Sequence, residues 1–218
     1  MSRDEPRSLC ARTSRSEPSA RRRVRPENCF HDGVQPLDSQ CYTRHVIEVP
    51  GDNQFDALPA LRGRAWVFGD DVAAVMVVPR DQWERSVHES ATVVMAGIDP
   101  TFARAIDRGD FIVAGLNFAC GATHPLIGSA LQQAGVGAVI ARSFGPAFFD
   151  TAIAAGLPAL MIEETGAIKS GDRLRVDVET KRIVNLSSGD RYIVRNLTDI
   201  HIDILRAGGL TDYQRRRM

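Results

Sequence analysis

Apolar and polar residues fall into three regimes along the chain. Over residues 1–25 (MSRDEPRSLCARTSRSEPSARRRVR) polar side chains dominate, and over 26–60 apolar residues stand among Pro, Gly and Asp without a sustained period. From Leu61 the pattern becomes that of a folded domain. Residues 64–68 form a strand-like run stopped by Gly69-Asp70-Asp71, and 72–78 is a second apolar run ending at Pro79. Phe102, Ala105 and Ile106 are spaced for a short helix over 101–106, followed by the turn signal Arg108-Gly109-Asp110. Residues 111–114 read as a buried strand. A loop then leads into a helix over 125–134, whose end is marked by Gly135, and 136–141 is a second buried strand.

A strand, a helix and a strand within so short a span make a βαβ unit with parallel pairing. The theme continues with a helix over 146–155 closed by Gly156 and a strand over 159–162. The period then shortens to two over 173–178, 182–186 and 191–194, with a turn at Ser188-Gly189-Asp190, which predicts antiparallel strands with one wet face. A closing helix over 198–207, capped by Gly208-Gly209, trails into an arginine-rich end. The prediction is an α/β domain over 61–218 with a parallel βαβ core and additional antiparallel strands. Residues 1–60 are expected to be a disordered leader and linker, with no repeat and no second domain.

Charge sharpens that division. The chain carries 27 basic and 27 acidic residues, so no global field draws it to nucleic acid or to an anionic membrane. Neutrality is nevertheless a sum of unlike parts: residues 1–25 hold eight Arg against three acids, and 26–60 hold one Arg against six acids. The leader's Arg/Ser composition fits an organellar transit peptide, a basic address or nucleic-acid arm, or a plain unstructured extension, and the last is expected. No apolar run approaches the roughly 20 residues that cross a bilayer. A cytoplasmic protein with neither a membrane nor a nucleic-acid partner is expected.

Of four cysteines, only Cys120 lies in the apolar-rich part, and no CxxC or Cys/His spacing occurs. This chain is therefore expected to bind no metal or cofactor of its own, in a reducing compartment.

In α/β sheets, ligands bind beyond the carboxyl ends of the parallel strands, where loops lead into helix N-termini. Here that place is residues 115–125 (GLNFACGATHP). Gly115 and Gly121 permit tight turning, Thr123 or His124 can cap the helix, and Pro125 suits its first turn. Free backbone N–H groups at such an end favour a carboxylate or phosphate, although a plain helix cap explains the same residues.

Residues 63–72 (GRAWVFGDDV), 109–121 (GDFIVAGLNFACG), 137–144 (GAVIARSF), 156–158 (GLP) and 204–213 (ILRAGGLTDY) resemble the small subunit of 3-isopropylmalate dehydratase. That subunit is the swivelling β/β/α domain of the aconitase superfamily, and the resemblance runs in order from about Leu61 to Arg217. It implies half an enzyme. A separate large subunit would carry a four-iron iron-sulfur cluster acting as a Lewis acid on the substrate hydroxyl and carboxylate. The small subunit would close over it and present recognition and catalytic side chains. The implied reaction is the dehydration and rehydration of a small hydroxy-dicarboxylate, 2-isopropylmalate to 3-isopropylmalate, in leucine biosynthesis.

The departures from the family lie on this loop and on the first loop, after residues 64–68. Where the family reads Ser-Ser-Arg-Glu, with the first serine as base and the arginine on a substrate carboxylate, this chain reads Ala122-Thr123-His124-Pro125. An Asp-Thr-Asp in the first loop is replaced by Ala73-Ala74-Val75. The resemblance therefore points to Thr123 and His124 as the catalytic candidates. It points to Asn117, Cys120, Gly121, Ala122 and Arg80 for substrate binding, with Arg80 in the role of the missing guanidinium. Residues 80–90 would form the specificity loop, with Trp83 either a lid over an apolar substrate group or packing against the core. A divergent swivel-domain protein, binding or regulatory without catalysis, is the second reading.

Overall fold

The computed structural model describes residues 57–218. The chain enters the domain at Leu58, whose N–H donates to Glu179 Oε1 at 2.8 Å and whose side chain packs on the core. Residues 57–60 of the expected leader and linker are thus described together with the domain; the rest lies outside the described residues. Strand β1 (Leu61–Val67) is followed by α1 (Ala74–Val77), a single 3₁₀ turn at Arg80–Gln82, α2 (Val87–Ala91), α3 (Phe102–Ala105) and β2 (Phe111–Val113). Next come α4 (Leu126–Ala134), β3 (Ala138–Ala141), α5 (Pro146–Ala155) and β4 (Ala159–Met161). The antiparallel strands β5 (Arg173–Asp177), β6 (Arg182–Asn185) and β7 (Arg191–Ile193) and the helices α6 (Asp199–Ala207) and α7 (Leu210–Arg217) complete it.

All seven strands form one sheet in the order β4-β3-β2-β1-β5-β6-β7. β1 is the pivot: Ala65 is in parallel register with Phe111, while Arg62 faces Arg175 in antiparallel register. The strands β2 and β3 are buried throughout, as parallel strands covered on both faces require. Alternate side chains feed two cores. Ile112 and Val139 join Ile127, Leu131 and Phe148 on one face, whereas Phe111, Val113 and Ile140 join Leu174, Val176 and Ile183 on the other. The expected helix stops hold: α4 and α5 end at Gly135 and Gly156, with φ of 103° and 83°, a left-handed conformation that strains any residue with a Cβ.

Three segments depart from expectation. The apolar run 72–78 turns once as α1, because its backbone is claimed from outside: Ala74 N–H donates to Cys120 O, and Val77 O accepts from Met95 N–H. The stretch 80–90 contains α2, started by a capping box in which Ser86 Oγ accepts the Glu89 N–H at 3.3 Å and Glu89 Oε2 accepts the Ser86 N–H at 3.1 Å. The trailing end is the helix α7, anchored by buried Tyr213, whose hydroxyl accepts from Arg217 at 2.7 Å.

Two electrostatic features bear on stability. Asp110, only 3% exposed just before β2, accepts the Arg64 N–H at 2.8 Å, the Trp66 Nε1–H at 3.0 Å and the Asp107 N–H at 3.2 Å. Burial pushes its carboxyl up, but these donors and the Arg64 charge outweigh that and hold it below the usual aspartate range. On the open face of the antiparallel half, exposed arginines stand opposite one another, Arg62 against Arg175 and Arg64 against Arg173. No described helix is long and apolar enough to cross a membrane.

Candidate functional site

The carboxyl ends of β1, β2 and β3 release three loops that are stitched together by backbone and short side chains. After β1, Asp70 Oδ1 accepts the Leu116 N–H at 2.6 Å, and the Asp71 N–H donates to Leu116 O at 2.8 Å. After β2, the Asn117 side-chain amide donates to Asp71 Oδ1 at 2.7 Å, and the Asn117 N–H donates to Ser143 Oγ at 2.8 Å. From the loop after β3, Gly145 N–H donates to Phe118 O at 2.8 Å. Further along, Cys120 N–H donates to Val72 O at 3.2 Å and Cys120 O accepts from Ala74 at 2.9 Å, a parallel bridge between the first two loops. Asp71, Asn117 and Ala119 hold positive φ of 54°, 58° and 54°, so this loop is fixed in a conformation that a free chain avoids.

Those bonds carry the loop outward to its rim. Cys120, Gly121, Ala122, Thr123 and His124 follow one another there, Gly121 and Ala122 exposed and the other three half-buried. Thr123 supplies the only hydroxyl of the stretch 115–125, and its sole hydrogen bond among the described residues is a long one of 3.4 Å to Ala119 O. His124 sits where α4 begins, and its Nδ1 accepts the Leu126 N–H at 3.3 Å while its carbonyl accepts the Ile127 N–H at 3.0 Å. Neither residue expected to cap this helix occupies its N-cap, which is Pro125; the His124 ring meets the first helical N–H from one position further out. A neutral ring that accepts at Nδ1 carries its proton on Nε2, so the free nitrogen is a donor, suited to a carboxylate oxygen.

Arg80 reaches the same neighbourhood from the first loop. Its guanidinium carbon lies 5.4 Å from the centre of the Trp83 ring, and the His124 ring stacks on that indole at 5.6 Å with 20° between planes. Trp83 itself packs against the core and donates its Nε1–H to Val78 O at 3.0 Å. The structure thus gathers Asn117, Cys120, Gly121, Ala122, Thr123 and His124 on one loop and joins Arg80 to it through Trp83. Asn117 is exposed, with its amide spent on Asp71 and its carbonyl oxygen 3.5 Å from the Ser143 hydroxyl. Asp70, Asp71 and Ser143, which support the loop, escape a reading by sequence; Gly69-Asp70-Asp71 there registers only as a turn.

Among the described residues no group of three or more His, Cys, Asp or Glu could hold a metal ion, and Cys120 is a lone free thiol. The described residues do not fit an iron-sulfur cluster.

No protein-family model matches the chain. It is 40% identical over 154 residues to the methanogen homoaconitase small subunit of Methanothermobacter thermautotrophicus, covering 70% of this chain and 89% of that one. It is 39% identical over 152 residues to 3-isopropylmalate dehydratase small subunit 1 of Archaeoglobus fulgidus, 69% of this chain and 94% of that one. With the isopropylmalate/citramalate isomerase small subunit of Methanocaldococcus jannaschii the figures are 38% over 162 residues, 72% and 95%. The crystal structure of 3-isopropylmalate dehydratase from the same organism superposes with a TM-score of 0.69 at 35% identity, covering 73% of this chain and 95% of that one. By ancestry over nearly the whole length of these relatives, and by a seven-stranded sheet that hangs its polar loops at one end, the chain belongs to the 3-isopropylmalate dehydratase small-subunit family.

Proposed function

We propose that this chain is the small subunit of a hydro-lyase that isomerises a small hydroxy-dicarboxylate by dehydration and rehydration, with 2-isopropylmalate as the leading substrate. It would work in complex with a large subunit. The observation that carries the reading is the braced loop 115–125: strained backbone at Asn117 and Ala119 is retained beside the helix α4, and strain of this kind persists where a site requires it. The family's four-iron cluster would reside in the large subunit, supplying Lewis acidity toward the leaving hydroxyl. This chain's part is to bind and orient the substrate and to handle a proton.

Each rim residue has a role in that division. The Nε2–H of His124 and the guanidinium of Arg80 hold substrate carboxylate, in place of the arginine that the family carries at the position of His124. Thr123 Oγ, lightly held by Ala119 O, takes the proton that the family's serine takes at the position of Ala122. Gly121 and Ala122 leave backbone room for the substrate, Cys120 fixes the rim to the first loop, and Asn117 keeps the three loops in register. The isolated chain would be inert, in the cytoplasm as elsewhere, until the large subunit joins it.

One observation favours the second reading, a swivel domain kept for binding or regulation: the exposed side chain of Ala122 carries no functional group at the family's base position. A single experiment separates the two. The chain is co-purified anaerobically with cluster-bearing large subunits, and the complexes are assayed on 2-isopropylmalate, citramalate and other 2-hydroxy di- and tricarboxylates. Turnover of any of them supports the hydro-lyase; stable complexes with no turnover on the whole panel would establish the second reading.

A further inference from the structure

We infer that Trp83 is a positioning residue for carboxylate recognition, holding Arg80 and His124 as one pair of donors for a hydroxy-dicarboxylate. The inference deepens the hydro-lyase reading and rests on it for the identity of the ligand. Arg80 and His124 are 44 positions apart in sequence and belong to loops that leave different strands. The described structure shows no hydrogen bond or ion pair between them. What they share is one indole: the guanidinium lies 5.4 Å from its centre and the imidazole stacks at 5.6 Å.

The indole is suited to that work because it is itself held. Its Nε1–H is fixed on Val78 O at 3.0 Å, the Trp83 backbone N–H closes the turn onto Arg80 O at 3.2 Å, and its apolar surface packs against the core. An arginine over an aromatic face keeps its N–H groups in the ring's periphery, free for an anion, while cation–π attraction limits where it swings. The histidine is fixed from its other side by the Leu126 N–H on Nδ1. Two side chains that would each lose rotamer freedom on binding are therefore ordered beforehand, and ordering paid in folding is not paid again in binding.

Electrostatics gives the pair a single purpose. Both groups present N–H donors, and no carboxylate contacts either among the described hydrogen bonds and ion pairs. A ligand with two carboxylates matches two donors on one platform. The neighbouring helix start of α4 adds partial positive charge beside His124.

The test measures binding apart from turnover. Calorimetric titration of 2-isopropylmalate into the co-purified complex gives a Kd for wild type, for Trp83→Met, which fills similar space without a flat ring, and for Trp83→Phe, which restores one. Loss of the platform should weaken binding about tenfold in Trp83→Met, with Trp83→Phe returning to within about threefold. In an Arg80→Ala/His124→Ala background, Trp83→Met should change Kd less than about twofold, because the residue acts through those two. A full tenfold effect of Trp83→Met in that background, or an unchanged Kd in the wild-type background, overturns the inference. So does a wild-type complex that binds no dicarboxylate. If wild type binds and the cycle behaves as expected but nothing turns over, the inference stands and the hydro-lyase reading falls.

Discussion

Asp70 and Gly115 occupy one space: a Cβ built on Gly115 would fall 1.7 Å from Asp70 Oδ1, the oxygen that accepts the Leu116 N–H. The first two loops are thus joined where only a glycine lets a carboxylate lie against the backbone. Gly115→Ala should evict the Asp70 side chain, break the bond to Leu116 and cost about 1–3 kcal/mol. Asp70→Ala should cost a similar amount. Because both break one bond, the double variant should be no less stable than Gly115→Ala alone, which denaturant melts of the three variants would check.

Asp110 ties β1 to β2 at the end of the sheet away from the loops. Asp110→Asn keeps the shape but places an amide N–H₂ among donors, and a loss of about 1.5–3 kcal/mol is expected at neutral pH. The sign with pH follows from the lowered carboxyl value. The stabilisation is present above the unfolded value of about 3.9 and disappears as pH falls through the still lower folded value. Wild type and variant should therefore converge in stability only in acid, as urea melts from pH 7 downward would report.

Facing arginines predict a salt dependence. Arg62 and Arg175 stand directly opposite on an open sheet face, an arrangement that costs roughly 0.2–1 kcal/mol. Arg175→Glu should raise the melting temperature at low salt, and the advantage should shrink at high salt as the Debye length contracts. Thermal melts at two ionic strengths decide it; an equal or lower melting temperature for the variant would show that the repulsion is already relieved.

Catalysis should respond in opposite directions at adjacent positions. Thr123→Val removes the loop's only hydroxyl at nearly constant volume, and kcat should fall by about 10²–10⁴ with little change in KM. Ala122→Ser, on an exposed rim position, should raise kcat by returning a hydroxyl to the family's place. Steady-state kinetics of the complex on its best substrate measures both.

How much of this is legible in the sequence depends on the range of the interaction. Helix ends at Gly135 and Gly156 are local facts, because left-handed backbone favours glycine, and both are read correctly from the chain. The parallel half is equally plain, since strands such as 111–114 are apolar throughout. The helix α7 is hidden because its residues after Leu210 are Thr, Asp, Gln and Arg, with only Tyr213 buried, so no apolar stripe announces it. The helix α2 is different: Ser86 and Glu89 have capping-box spacing, a local signal that a loop reading of 80–90 passes over. At the site, the rim residues are visible as a motif. The bonds that place them, Asp70 to Leu116, Asn117 to Asp71 and His124 on Trp83, span some forty residues or more, and no local pattern encodes them.

The strand order has a consequence for how the molecule is made. β1 is the first of the described strands to leave the ribosome, yet it lies in the middle of their sheet, between β2 and β5. Its partner on one side is made after α1, α2 and α3, and its partner on the other only after the whole parallel half. Contacts so distant in sequence form late and slowly, because loop closure must be achieved before pairing rewards it. The nascent chain must therefore keep an aromatic-bearing strand unpaired on the arginine side while the other half assembles. The guanidinium of Arg62, costly as a neighbour of Arg175 in the native sheet, would then serve as a gatekeeper that keeps that waiting edge from pairing with another chain.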